Sequence, residues 1–398
     1  MLYRTVPKNG ESLSILGFGA MRLPVNEDGS IDENMAIAQI RRSIDSGVNY
    51  VDTAWPYHDG QSEVVVGKAL QDGYRAKVKV ADKLPPWAVK NRADMDAILD
   101  RQLEKLGIDT IDYYLLHALE GESWDQLLSQ GVIAFLEDAR AAGKIANIGF
   151  SFHGNNDEFT RIIDAYDWTF CQIQYNFLDT QNQAGTAGLR HAAAKDIAVI
   201  VMEPLRGGNL ARPQAPPAIE ALWQTAAARR SPAEWALRWV WNHPEVTVVL
   251  SGMNEDAHIE QNLAIAAEAC ANTLSDEELA LIGQVADRYH ELMPVGCTGC
   301  QYCMPCPAGV NIPGCFEVYN TGKMFEEPQQ RTQFSYAVRN GGVRGNQTYA
   351  SQCVECGECM EHCPQHIEIP DRLKEVVAYC EADGVVESVK AALSGNME

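Results

Sequence analysis

Residues 112–118, DYYLLHA, and residues 145–151, IANIGFS, decide the fold. Both runs are short and mostly apolar, the pattern of parallel strands buried on both faces. Working outward, six further runs share the character: SILGFGA (14–20), VNYVDTA (48–54), VKVADKL (78–84), CQIQYNF (171–177), AVIVMEP (198–204) and VTVVLSG (246–252). Most are separated by segments of helical periodicity. Eight β-α units closing on themselves predict an α/β fold, a (β/α)8 barrel, which takes about 250 residues.

Helix punctuation agrees with this reading. Ser231 before Pro232 reads as an N-cap followed by proline at the first helical position, and the helix runs to the break at His243-Pro244. Ser275 with Glu278 three residues on reads as a capping box opening a last barrel helix. Near residue 295 the composition changes to Cys, Gly, Pro and Tyr, so residues 1–292 are expected to form the barrel and 293–398 a second, mainly helical unit. That unit holds an internal repeat, CTGCQYCMPCPAGVNIP (297–313) and CVECGECMEHCPQHIEIP (353–370). Helix and loop, with a glycine-rich turn at Asn340–Gly345, are expected between the copies, and amphipathic helices from Asp371 onward.

Bulk properties narrow the function. The formal charge of −22 argues against a nucleic-acid partner, because phosphate binding needs a basic face. No basic leader precedes an apolar run, and no apolar stretch reaches the roughly 18 residues of a membrane span, so a soluble, cytoplasmic protein without a membrane partner is expected. Only Cys171 and Cys270 of the 12 cysteines lie before residue 290. Such crowding, without an export signal, points to metal ligation and away from disulfides.

Polar residues at the ends of the second, third and fourth runs carry the barrel's chemistry: Asp52, Tyr57, Lys83 and His117. Barrel active sites lie at the C-terminal ends of the strands. Reduction of a carbonyl by hydride needs a proton donor. A tyrosine hydroxyl, with an ordinary pKa near 10, serves if a cation steadies the phenolate. Lys83 can supply that charge, Asp52 can hold Lys83, and His117 can hydrogen-bond the carbonyl oxygen.

The segments LGFGAMRLP (16–24), VDTAWPY (51–57), ADKL (81–84) and DYYLLH (112–117) resemble those of the aldo-keto reductases, over roughly residues 1–290. The resemblance implies that Tyr57 is the general acid, with Asp52, Lys83 and His117 its supporting set. It also implies that Ser151 and Gln172 hold a nicotinamide carboxamide, that Asn262 lies at the adenine end, and that Met202 stands where many members place an aromatic ring against the nicotinamide. Phe152 replaces a frequent Asn. Gly252 and His258 stand where NADPH-specific members carry Lys and Arg to grip the 2′-phosphate, so NADH is favoured over NADPH. Trp55, His58, Trp87, Phe152 and His153 are expected near a partly aromatic pocket mouth.

Both cysteine repeats have the ferredoxin pattern C-x-x-C-x-x-C followed by Cys-Pro, the spacing of [4Fe–4S] clusters. Resemblance to two-cluster ferredoxins implies crossed ligation: Cys297, Cys300, Cys303 and Cys363 for one cluster, and Cys353, Cys356, Cys359 and Cys306 for the other. Zinc is the alternative, although it would not require the third cysteine of each triplet. Cys315 and Cys380 lie outside both motifs. Nearly the whole chain is similar to a ferredoxin-linked subgroup of aldo-keto reductases. The expected function is hydride exchange between a nicotinamide and a small carbonyl or alcohol substrate, with two clusters passing electrons to or from a ferredoxin or other carrier protein. Two alternatives stand beside it: a simple carbonyl reductase with structural or redox-sensing clusters, and a regulatory barrel that only binds nucleotide. A flavin would help join one-electron clusters to hydride chemistry, but no flavin motif stands out.

Overall fold

Tyr3–Thr5 (β1) and Ser12–Ser14 (β2) pair as an antiparallel hairpin, with Tyr3 opposite Ser14 and Thr5 opposite Ser12. Its turn is closed by hydrogen bonds from Gly10 N to Val6 O (2.9 Å) and from Val6 N to Glu11 O (2.8 Å), with Gly10 in the left-handed region at φ 74°. The sequence reading did not anticipate this hairpin, since strands of three residues are too short to show a period. The computed structural model describes residues 1–340 and 347–381. The glycine-rich turn expected after Asn340 and the tail beyond Glu381 lie outside the described residues.

Eight parallel strands follow: Leu16–Gly19 (β3), Tyr50–Asp52 (β4), Lys79–Leu84 (β5), Ile111–Leu119 (β6), Ile145–Phe152 (β7), Phe170–Gln174 (β8), Ala198–Met202 (β9) and Val246–Ser251 (β10). Each pairs with the next, and β10 pairs with β3 to close the barrel. All eight apolar runs are strands, so the expected (β/α)8 architecture is what the chain adopts. The helices start where the punctuation of the sequence places them. Arg92–Leu106 opens on the Asn91–Asp94 capping box and ends at left-handed Gly107. Pro232–Trp241 begins at the proline, and Asp276–Leu292 begins directly after Ser275.

Strand alternation builds the interior. Tyr50, Ala81, Tyr113, Leu115, Phe170 and Ile200 belong to one buried cluster, joined by Val6 and Leu13 of the hairpin. Two residues further along the same strands, and therefore on the same inward face, come Asp52, Lys83, His117, Gln172 and Met202. Close approach in the wall is met by glycine: a Cβ on Gly149 would lie 2.6 Å from both the Phe170 ring and its carbonyl oxygen.

By compactness the chain divides into residues 1–205 with 233–275, and residues 206–232 with 276–398. The second unit therefore includes the segment that follows β9 and the helix Asp276–Leu292. Its other main helices are Ile312–Met324, Gln329–Asn340 and Ile369–Cys380, packed around Val310, Phe316, Tyr336 and Val376. Asn320 clips the chain entering the cysteine segment, accepting from Val295 N (3.0 Å) and donating to Val295 O (2.7 Å). Cys315 and Cys380 are both buried in this core.

Candidate functional site

Lys83 is the hub of the barrel site. Its fully buried ammonium donates to Asp52 Oδ1 (2.7 Å) and to the Thr53 carbonyl (2.8 Å). The Lys83 Nζ also lies 5.1 Å from the centre of the Tyr57 ring. Tyr57 and His117 meet edge to face at 6.1 Å, and the Trp87 ring lies 5.2 Å from His117. The four residues expected at the strand ends are thus brought together. Burial pushes the Asp52 carboxyl up, opposed by the Lys83 ammonium beside it. Burial, then the charges of Lys83 and His153, hold His117 well below the usual histidine range, so its ring is neutral. Tyr57 keeps its proton in the resting site. Burial first, then Asp52, Asp82 and Glu203, raise its hydroxyl well above the ordinary value. The Lys83 ammonium beside the ring is paired with Asp52.

The remaining strand-end residues ring the same end of the barrel. Ser151 Oγ accepts from Ala118 N (2.7 Å), which leaves its own hydrogen to donate. Gln172 donates through Nε2 to Met202 Sδ (3.5 Å), and its buried Oε1 has no partner. A group carrying N–H donors would satisfy that oxygen, and a primary carboxamide fits the pair formed by Ser151 and Gln172. Asn262, in the helix Asp256–Ala266, donates to Ser251 Oγ (2.9 Å) at the end of β10.

Of the five aromatic residues expected near the pocket, Trp87 and His153 act on His117. Phe152 does not join them. It is fully buried and packs on Phe159 at 5.1 Å and Phe150 at 6.4 Å. His58 accepts from Leu23 N (3.1 Å), and Trp55 stacks under Lys105 at 4.3 Å. Sequence reasoning missed a buried acid pair behind the wall. Asp82 lies against Glu63, which Lys105 grips at 2.6 Å. Burial and the Glu63 charge push the Asp82 carboxyl well up. Two acids separated by 19 positions give no local signal.

In the second unit the cysteines form two groups of four. Cys297, Cys300, Cys303 and Cys363 line one cavity together with Ile312, Phe316 and Ile369. Burial raises the Cys303 thiol, and the neighbouring Cys300, Cys297 and Cys363 raise it further. Cys359 is pushed up to about 11, first by burial and then by Cys353, Cys306 and Cys356 among its neighbours. Each triplet therefore sits with the Cys-Pro cysteine of the other repeat. Thiols crowded in this way need a cationic centre to ionise. Backbone N–H groups already point at sulfur: Gly299 N to Cys297 Sγ and Glu355 N to Cys353 Sγ, both 3.4 Å. Among the described residues no three His, Cys, Asp or Glu side chains converge on a single-ion site. The donor set and the cavity of the first quartet suit an iron–sulfur cube. The chain entering the first triplet is held by Arg206, which donates to Gly296 O (3.1 Å), and by Asn209, which donates to Cys297 O (3.3 Å).

Comparison with known proteins agrees with both halves. Residues 15–287 match the aldo/keto reductase family, and residues 296–368 match the 4Fe-4S dicluster domain. The chain is 26% identical to L-galactose dehydrogenase of Arabidopsis thaliana over 305 residues, 71% of this chain and 94% of that protein. It is 28% identical to methylglyoxal reductase YeaE of Escherichia coli over 280 residues, 68% and 90% of the two chains. An aldo-keto reductase from Klebsiella pneumoniae, solved in complex with NADPH, superposes with a TM-score of 0.59 at 25% identity, covering 72% of this chain and 96% of that one. An aldo-keto reductase from Bacillus halodurans shares the fold, at 23% identity and a TM-score of 0.59 over 72% of this chain and 96% of that one. The chain belongs to the aldo/keto reductase family, an oxidoreductase whose barrel is followed by a 4Fe-4S dicluster domain.

Proposed function

We propose that the barrel exchanges a hydride between a nicotinamide nucleotide and a small carbonyl or alcohol substrate, and that two [4Fe–4S] clusters pass electrons to or from a carrier protein. The observation that carries the first half is the Lys83 ammonium fixed between Asp52 and Thr53 beside the Tyr57 ring. When bound, the nicotinamide supplies or accepts the hydride. The chain's own groups do the rest. Neutral His117 donates an N–H hydrogen bond to the carbonyl oxygen, and Tyr57 delivers its proton to that oxygen as negative charge develops there. An alkoxide is a stronger base than a phenolate, so the transfer runs forward even from a firmly held phenol proton. Lys83 then steadies the phenolate, with Asp52 keeping it in place. Ser151 and Gln172 hold the carboxamide, Met202 borders it and Asn262 faces the adenine end. The similarity to a methylglyoxal reductase and to a sugar dehydrogenase supports small polar carbonyl or alcohol substrates.

NADH is the preferred nucleotide in this reading. Gly252 and His258 offer no permanent cation for a 2′-phosphate, and His258 lies 3.9 Å from Glu255, which would repel one. Comparing kcat/KM for the two nucleotides tests it; a clear preference for NADPH would refute it.

Each of the two quartets, Cys297, Cys300, Cys303 and Cys363, and Cys353, Cys356, Cys359 and Cys306, would hold one cluster. A structural role for the clusters has one observation in its favour: six of these cysteines pack against the unit's hydrophobic core. Turnover of methylglyoxal with NADH separates the readings. It is run anaerobically with NADH alone and again with NAD+ and a reduced one-electron carrier in place of NADH, two carriers oxidised per product, with and without free FMN, because hydride carries two electrons and a cluster one. Product formed with oxidation of two carriers supports electron passage, whereas full turnover with NADH and an inert carrier supports structural clusters.

A further inference from the structure

The two cysteine repeats differ in charge and in exposure. Residues 297–313 contain no Asp, Glu, Lys or Arg, whereas residues 353–370 contain Glu355, Glu358, Glu361 and Glu368 and no Lys or Arg. The first quartet lines a cavity walled by apolar side chains. In the second, Cys356 is exposed. Beside it Val354 is 69% exposed and Met360 39%, and the Met360 methyl lies 3.8 Å from the Cβ position of Gly357. Large apolar side chains in water beside an exposed redox ligand, ringed by acids, have the make-up of an interface: an apolar centre with a charged rim. Lys374 offsets part of the charge, pairing with Glu355 at 2.9 Å and Asp371 at 3.1 Å. Glu358, Glu361 and Glu368 remain exposed around the loop.

We infer that this loop is the docking surface for a basic, one-electron carrier protein, the second cluster being the port through which electrons enter or leave. The inference rests on the reading that the clusters pass electrons. Electron transfer weakens steeply with distance, so the cluster whose ligand reaches solvent is the one a carrier can approach. Acids around it attract a positively charged carrier and repel an acidic one.

The test uses the full chain with its clusters, reduced anaerobically by dithionite and freed of excess reductant. It is mixed by stopped flow with a basic c-type cytochrome and, separately, with an acidic flavodoxin. In the cytochrome reaction a reduced cluster loses one electron and a ferric haem gains it, with no bond made and no proton moved. The second-order rate constant for the cytochrome should fall as salt rises. Changing Glu355→Gln, Glu358→Gln and Glu361→Gln together should lower it about tenfold at low salt and flatten the salt dependence. A control triple, Glu27→Gln, Asp28→Asn and Glu122→Gln, should leave it unchanged. Iron and sulfide content and cluster potentials, measured on each variant, separate docking from driving force. If the loop triple loads poorly, Glu361→Lys alone must slow the cytochrome and speed the flavodoxin. Equal rates for loop variants and wild type, or equal loss in the control triple, would overturn the docking surface while leaving electron passage intact. Transfer to neither carrier would overturn both.

Discussion

Tyr57 and His117 are set in opposite directions by one cause. Burial holds the phenol's proton on and keeps the imidazole's second proton off. The sign of the pH dependence follows. Tyr57 is protonated everywhere below its raised value, so carbonyl reduction should show no loss attributable to it up to its ordinary range near 10. His117 is neutral everywhere above its lowered value, so an acid limb should fall below the usual histidine range near 6.5. A kcat/KM profile for methylglyoxal with an alkaline limb between about pH 7 and 9 that disappears in Tyr57→Phe would contradict this assignment. The same variant, which removes only the proton donor, should lose about 10² to 10⁴-fold in turnover. Nicotinamide affinity, read by fluorescence titration, should remain near wild type. Near wild-type turnover would place the acid elsewhere.

Elements carry these residues with little slack. Gly149→Ala in β7 would drive a Cβ to 2.6 Å from Phe170, partly against backbone, so something in the wall must shift. A loss of about 1–3 kcal/mol is expected in denaturant unfolding, and an unchanged midpoint would show the barrel to be softer than its packing implies. The two cysteine loops give a milder case. Glu355 at φ 56° occupies the left-handed position that Gly299 takes at φ 66° in the first repeat. Glu355→Gly should therefore gain up to about 1 kcal/mol, less whatever the exposed Lys374 pair contributes. A loss of stability would mean that the glutamate's contacts outweigh its backbone strain. The eight strands were legible because buried parallel strands are continuous apolar runs. The polar residues at their ends were legible because strand alternation carries the inward face onward from Tyr50 to Asp52 and from Leu115 to His117. The β1–β2 hairpin was not, being too short to show a pattern. Nor was the pairing of Asp82 with Glu63 or the turning of Phe152 into the wall, since both depend on which neighbours tertiary packing brings up.

At the scale of the molecule, an aldo/keto reductase barrel and a 4Fe-4S dicluster domain share one chain. The segment after β9 belongs by compactness with the cysteine-rich unit, and Arg206 and Asn209 tie it to the start of the first triplet. A division drawn from composition near residue 293 could not reveal this, because the tie spans about ninety residues and leaves composition unchanged. Ligand binding and folding are coupled in small metal domains. Cys356→Ser, at the exposed cysteine of the second quartet, should remove one cluster while the barrel retains nucleotide-dependent turnover. Complete unfolding of the chain would show the clusters to be structural supports for the whole. Iron and acid-labile sulfide analysis of wild-type chain purified without oxygen is the most direct measurement of the union of hydride and cluster chemistry in one protein. About eight iron and eight sulfide per chain are expected, four of each in two clusters, in a preparation that also turns over methylglyoxal with NADH. Stoichiometric zinc without sulfide, or a full cluster complement with no nicotinamide-dependent turnover of any carbonyl or alcohol, would contradict it.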